Sequence, residues 1–216
     1  MQIDAILFDK DGTIFDSERV CCDAWEQSAN EFGYEFDREY FLNFVGLSAP
    51  ESQKLVYAYF GADFPIQDFL QRARTLIHTE KAKGLPIKKG FDAFFTLAKT
   101  LNIPMAVVTS SNTESAEKSF AKTDYWQSLA FVITSDDVDH PKPNPQPYLR
   151  ACKRIGAKPQ HTLVFEDSNI GITAALAAAC QTIAIPDLLP IQSKLAEQCL
   201  AVVESFDDAQ KFLNKL

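Results

Sequence analysis

Positive charge is scarce in this sequence: 21 Lys and Arg face 29 Asp and Glu, a formal net charge of −8. An acidic surface repels nucleic-acid backbones and anionic lipid, so no nucleic-acid or membrane partner is expected. The chain has five cysteines and no C-x-x-C pair, which excludes a thiol-based metal knuckle and fits free thiols in a reducing, cytoplasmic compartment. The adjacent Cys21 and Cys22 read as packing residues of a helix. Its three histidines, His78, His140 and His161, have no metal-ligand spacing. No apolar run is long enough for a membrane span, and Met1-Gln2-Ile3-Asp4 lacks the basic start of an export signal, so no exported protein is expected. Internal repeats and low-complexity tracts are missing too, which sets aside solenoids and disordered linkers.

What is present is an ordinary globular composition, 46% hydrophobic and 23% charged, with 17 phenylalanines that suggest an aromatic core. A chain of 216 residues can bury one full core and carry a second, smaller unit. Short apolar runs fall at Ile3 to Phe8, Met105 to Thr109, Phe131 to Thr134, Thr162 to Phe165 and Thr182 to Ile185, with helix-length segments between most of them. That alternation predicts an α/β fold, a Rossmann-like parallel sheet flanked by helices. The grouping Phe91, Phe94, Phe95 and Leu97 has helical spacing and belongs to its core.

The stretch from Ser17 to Gly84 differs. It offers no strand and breaks into helical segments near Glu18 to Phe32, Glu39 to Val45, Glu51 to Phe60 and Ile66 to Lys83. Gly33 and Gly84 stand where helices end, and Pro50 suits a first turn. The expected organisation is therefore a sheet domain made of residues 1–16 and 85–216, with an all-helical domain, 17–84, inserted into it.

The chemistry gathers at strand ends, where open α/β sheets bind their ligands. After the first apolar run comes Asp9-Lys10-Asp11-Gly12-Thr13. Residues i and i+2 of an extended chain face one side, so Asp9 and Asp11 converge while Lys10 is expected to point away, and Gly12 permits a sharp turn. Two ionised carboxylates this close require a cation, a shared proton or unequal pKa values. Glu166 and Asp167 end a second apolar run, and all-oxygen donors of this kind favour magnesium. Thr109, Ser110 and Ser111 offer hydroxyls at a third strand end, though Ser110-Ser111-Asn112 is equally an ordinary helix cap. Lys142, between Pro141 and Pro143, supplies a held cation. Ser168 is expected to cap a helix and Gly171 to permit close helix packing.

Asp9-x-Asp11-Gly12-Thr13, Thr109, Lys142 and Glu166-Asp167, in this order and spacing, resemble the four motifs of the haloacid dehalogenase superfamily. The helical insertion after the first motif is similar to the C1 cap of subfamily I phosphatases, a group with β-phosphoglucomutase and phosphoglycolate phosphatase-like hydrolases. The resemblance implies a phosphatase acting on a small phosphorylated metabolite, a sugar phosphate or similar, with no obligate protein partner. It implies Asp9 as nucleophile forming an aspartyl-phosphate, Asp11 as general acid and base, and Thr109 and Lys142 as electrostatic stabilisers. Gly12, Thr13, Ser110 and Ser111 fall beside the phosphate. Magnesium falls to Asp9, the backbone carbonyl of Asp11, Asp167 and nearby Glu166.

Two alternatives remain open: a mutase that shuttles the phosphoryl group, and a non-catalytic regulatory or ligand-binding protein. Asp11 argues against dehalogenation, which lacks the second aspartate. Cys21 and Ala49 stand where the mutase carries a histidine and an arginine, so neither could hold a second phosphate charge. Asp16, Ser17 and the turn from Gly46 to Pro50 are the expected specificity surface.

Overall fold

The computed structural model describes residues 2–44 and 49–214, with side chains left aside at 49 and 50. The expected turn residues 46–48 therefore lie outside the described residues, as does the side chain of Ala49. The chain divides into two compact units, Met1–Asp16 with Pro86–Leu216, and Ser17–Leu85, so Leu85 falls in the helical unit.

The first unit is built on six parallel strands: β1 Ala5–Phe8, β2 Met105–Val108, β3 Val132–Ile133, β4 Thr162–Glu166, β5 Gln181–Ala184 and β6 Ala201–Val202. Their order is β3-β2-β1-β4-β5-β6, every neighbouring pair parallel. β1 and β4 are buried along their whole length, as a sheet covered on both faces requires and as their unbroken apolar runs indicate. Residues of β1 point alternately to two cores. Phe8 meets the rings of Phe91, Phe94 and Phe95 on α5 (Phe91–Thr100), Phe165 on β4 and Phe206 on α10 (Phe206–Leu213). Leu7 lies in a second cluster with Val108, Val164, Tyr148 and Cys152 of α7 (Gln146–Ile155), and Ala174 of α8 (Asn169–Ala177). Cys152 and Cys180, far apart in sequence, meet there with their sulfurs 3.8 Å apart as free thiols.

The strands are shorter than the apolar runs suggest, since Ile3 and Asp4 stay outside β1, and β6 carries no pattern that foretells it. A two-residue strand is too short to show a period of two. The short helix α9 (Ser193–Ala196) lies between β5 and β6, and α6 (Thr113–Phe120) follows β2.

The second unit contains α1 (Ser17–Glu31), α2 (Arg38–Phe41), a 3-10 turn at Leu42–Phe44, α3 (Ala49–Phe60) and α4 (Ile66–Lys83), with no strand among its described residues. The helix expected from Glu39 to Val45 is thus α2 followed by the tighter turn, with Val45 outside the described residues. Trp25 packs on Phe41, Phe44 and Phe69. Phe60 and Phe64 stack at 4.2 Å and extend the cluster to Tyr34. The buried hydroxyl of Ser28 on α1 donates to the carbonyl of Phe69 on α4. Among the described residues no helix is long and apolar enough to cross a membrane.

Candidate active site

Strand order decides which side chains meet. β1 lies between β2 and β4, so the loops at the carboxyl ends of these three strands bring Asp9, Thr109 and Glu166-Asp167 together. The main chain of the first loop is tightly tied: the Lys10 carbonyl accepts from the amides of Ile14 and Phe15, and the Gly12 amide donates to the Phe15 carbonyl. This closure puts Gly12 at φ +80°, a left-handed conformation that glycine adopts without strain.

Lys142 is the hub. Its ammonium has three protons and three acceptors: Asp9 Oδ1 at 2.7 Å, Glu166 Oε1 at 2.7 Å and the Val108 carbonyl at 2.8 Å. Its side chain is 4% exposed, so the cation sits inside the protein beneath Asp9. Burial works against its charge, yet the Asp9 and Glu166 carboxylates together hold its pKa above the ordinary lysine range. Glu166 is fully buried and held from both sides, with the Tyr148 hydroxyl donating to Oε1 at 2.6 Å and Ser168 Oγ to Oε2 at 3.2 Å. Ser168 also caps α8, accepting from the Gly171 amide. Gly171 packs directly on the Glu166 carboxylate, where any Cβ would collide with it.

Asp9 keeps Oδ2 free of hydrogen bonds from the described residues while Oδ1 is fixed by Lys142. Burial raises its pKa to about 7; Lys142 opposes that shift, and the charges of Glu166 and Asp11 add to it. Asp167 is pushed well above the usual carboxylate range by burial and by Asp9 and Glu166. One carboxylate oxygen each from Asp9, Glu166 and Asp167 lie within 4.8 Å of one another.

Thr13 is fully buried, and its hydroxyl donates to Asp167 Oδ1 at 3.1 Å, so it orients that carboxylate and is not open to a ligand. Ser111 Oγ donates to Asp11 Oδ2 at 2.9 Å, and its amide donates to Thr109 Oγ1. Ser110 is exposed, while Asn112 caps α6. The capping reading of the Ser110-Ser111-Asn112 run therefore holds at Asn112.

Lys10 departs from expectation. It is fully buried, and its ammonium turns back to Asp11 Oδ2 at 2.7 Å and reaches Ser119 Oγ at 3.2 Å. Strand alternation gives the direction in which a side chain leaves the backbone, but a four-carbon stem inside a closed loop can return its end to the neighbour. Tyr148, Lys88 and Asp187 were also missed. Asp187 lies beyond Ile185 and Pro186 at the end of β5, at the same end of the sheet as Asp9 and Asp167 at the ends of β1 and β4, so a strand-end rule extended past the first residue could have found it. Tyr148 carries no such signal.

A family model described as haloacid dehalogenase-like hydrolase matches residues 6–185. A validoxylamine A 7'-phosphate phosphatase of Streptomyces hygroscopicus subsp. limoneus is 29% identical over 169 residues, 78% of this chain and 79% of its own. A phosphorylated carbohydrates phosphatase of Thermotoga maritima is 26% identical over 185 residues, 84% of each chain. The crystal structure of a HAD family hydrolase from Deinococcus radiodurans R1, with bound phosphate and sodium, superposes with a TM-score of 0.87 at 21% identity, covering 99% of this chain and 96% of that one.

Proposed function

This chain belongs to the haloacid dehalogenase-like hydrolase family, and we propose that it is a magnesium-dependent phosphatase of small phosphorylated metabolites, sugar phosphates or similar. The observation that carries the reading is Asp9, with one oxygen pinned by Lys142 and the other without a hydrogen bond from the described residues, beside Asp167 and two residues from Asp11. The phosphatase names of the two relatives support the reaction type and the phosphorylated-carbohydrate substrate class.

The residues fit a hard divalent cation. Around Asp9, three carboxylates face one ammonium, that of Lys142, and all the candidate donors are oxygen. Gly12, lacking a Cβ, leaves the loop open against Asp167. Asp9, Asp167 and the Asp11 carbonyl would hold magnesium, which when bound supplies positive charge to the phosphoryl oxygens. Glu166, with acceptors already taken by Lys142, Tyr148 and Ser168, positions Lys142 and does not ligate.

Asp9 Oδ2 attacks phosphorus in line, and the alcohol leaves as an aspartyl-phosphate forms. Lys142, fixed by Glu166 and Val108, keeps Asp9 Oδ1 occupied and opposes the negative charge of the phosphoryl group. Asp11, oriented by Lys10 and Ser111, gives its proton to the leaving oxygen and later takes one from the attacking water. Thr109 fixes the Ser111 amide, and Ser110, exposed beside it, is free to meet the phosphate. The helical unit Ser17–Leu85 takes the part of a cap that selects the substrate, a role supported by its insertion directly after the first catalytic loop. The five free thiols support a cytoplasmic setting.

Phosphate release from p-nitrophenyl phosphate and a panel of sugar phosphates, with and without magnesium, tests the reading, with Asp9→Asn as control. The wild type releases phosphate only with the metal, and the variant falls to background. A wild type as inert as Asp9→Asn over the whole panel refutes it in favour of a non-catalytic protein, and isomerisation of β-glucose 1-phosphate without net phosphate release refutes it in favour of a mutase.

A further inference from the structure

At the carboxyl end of β5 the chain runs Ile185-Pro186-Asp187. The Asp187 side chain is 4% exposed, and Oδ1 accepts from Lys88 Nζ at 2.6 Å. Its other oxygen, Oδ2, is buried without a hydrogen-bond partner among the described residues. Leaving a buried acceptor unsatisfied carries a desolvation cost, greater where the group is charged. The direction of Oδ2 is informative. A Cβ placed on Gly12 would stand 3.2 Å from Asp187 Oδ2 and closer still to Asp167 Oδ2, so the two carboxylates converge on one α-carbon of the catalytic loop.

We propose that Asp187 is a further carboxylate of the cation site, its Oδ2 receiving a hydrogen bond from a water in the magnesium hydration shell. The inference rests on the cation reading above. Asp187 lies outside the group of carboxylates whose oxygens approach within 4.8 Å, which sets it beyond direct ligation. Magnesium dehydrates reluctantly and keeps several waters when bound by few carboxylates, and those waters require acceptors. Groups that hold metal-bound water and ligands in place change affinity about 10–100-fold when removed. The ion pair with Lys88 accounts for Oδ1 alone. A cation-bound water accounts for the aim of Oδ2 toward Gly12 and Asp167.

Titration calorimetry of the full chain with magnesium alone, without substrate, tests this. Asp187→Asn binds magnesium about tenfold more weakly than the wild type, whereas Lys88→Gln, which breaks the same ion pair but keeps the carboxylate, binds no more weakly. Equal losses in both variants, or wild-type affinity in Asp187→Asn, overturn the proposal. If Asp187→Asn does not fold, the side-chain carboxyl 13C signal of Asp187 in the wild type decides. It moves and saturates together with that of Asp167 as magnesium is added, and a signal that stays still overturns the proposal. A wild type that binds magnesium but releases no phosphate sinks the phosphatase reading and leaves this one standing. Normal phosphatase activity with unchanged magnesium binding in Asp187→Asn does the reverse, and a wild type that binds no magnesium ends both the cation reading and this one.

Discussion

Replacing Lys142 with methionine keeps most of the stem and removes the ammonium. In the native protein that group satisfies Asp9 Oδ1, Glu166 Oε1 and the Val108 carbonyl at 2.7, 2.7 and 2.8 Å. Its loss leaves two buried carboxylates facing each other across an unpaired carbonyl. Removing one partner of a buried ion pair costs about 3–5 kcal/mol, against a total stability of about 5–15 kcal/mol for an ordinary domain. Lys142→Met is therefore expected near the edge of folding in EDTA at neutral pH. Magnesium recovers part of the loss, about 2.7 kcal/mol at a hundredfold excess over its dissociation constant. Adding Glu166→Gln removes one of the two stranded charges, so the double variant is more stable than the sum of the single effects, by about 0.5–3 kcal/mol. Urea unfolding followed by circular dichroism, with EDTA and with magnesium, measures each quantity. A Lys142→Met midpoint equal to the wild type, or strict additivity in the double variant, would show that Lys142 is not the charge that holds Asp9 and Glu166 inside the protein.

Asp9 gives a pH dependence of stability with a definite sign. Its native pKa of about 7 lies above the unfolded value of about 3.9, so the native state binds more protons, and metal-free stability falls as pH rises through that window. Saturating magnesium flattens the slope by taking the proton's place, and urea midpoints that rise over the same interval in EDTA refute the assignment. Phe8→Ala removes a fully buried ring that meets five others and costs about 3–5 kcal/mol in chemical denaturation; a loss under about 1 kcal/mol, the scale of surface changes, contradicts this packing. Gly171→Ala drives a methyl group into the Glu166 carboxylate, so it lowers kcat and thermal stability together, whereas a stability loss with wild-type kcat shows that Glu166 does not position Lys142.

The sheet was legible because its central strands are buried on both faces, and a strand in that position reads as an unbroken apolar run. β1, β2, β4 and β5 satisfy that condition. β6, two residues long at the edge, does not, and the short pairing at β3 occupies only the middle of its apolar run. The carboxylates of the candidate site were legible for a related reason: a charge that ends a buried strand interrupts the run and has a fixed direction, as at Asp9 and at Glu166-Asp167. Tyr148 sits on a helix among residues that serve the core, and nothing in its spacing shows that its hydroxyl reaches Glu166. The Lys10 ammonium returns to Asp11, against strand alternation, because pleat geometry describes the first bond of a side chain and not its end. The Cys152 and Cys180 contact depends on the register of α7 against the strand after α8, which no local spacing contains.

Charge balance ties the separate parts of the site together. Lys142 answers Asp9 and Glu166 at once, Lys10 answers Asp11, and Lys88 answers one oxygen of Asp187. Asp167 receives only a neutral hydroxyl from Thr13 among the partners described above. Counting each of these groups as ionised, the five carboxylates of Asp9, Asp11, Glu166, Asp167 and Asp187 face three ammoniums, and the deficit of positive charge is concentrated around Asp9, Asp167 and the Asp187 oxygen that has no hydrogen bond from the described residues. A low-dielectric interior does not tolerate such a surplus, so protons or a cation must enter. The raised pKa of Asp9 and Asp167 is the response of the metal-free protein, which fills the deficit with protons. A divalent cation fills the same deficit while leaving Asp9 ionised, the state in which its free oxygen can attack phosphorus. On this reasoning the proposed metal requirement and the pH sensitivity of the fold arise from one cluster of charges, so a substitution that removes one surplus carboxylate should weaken both together.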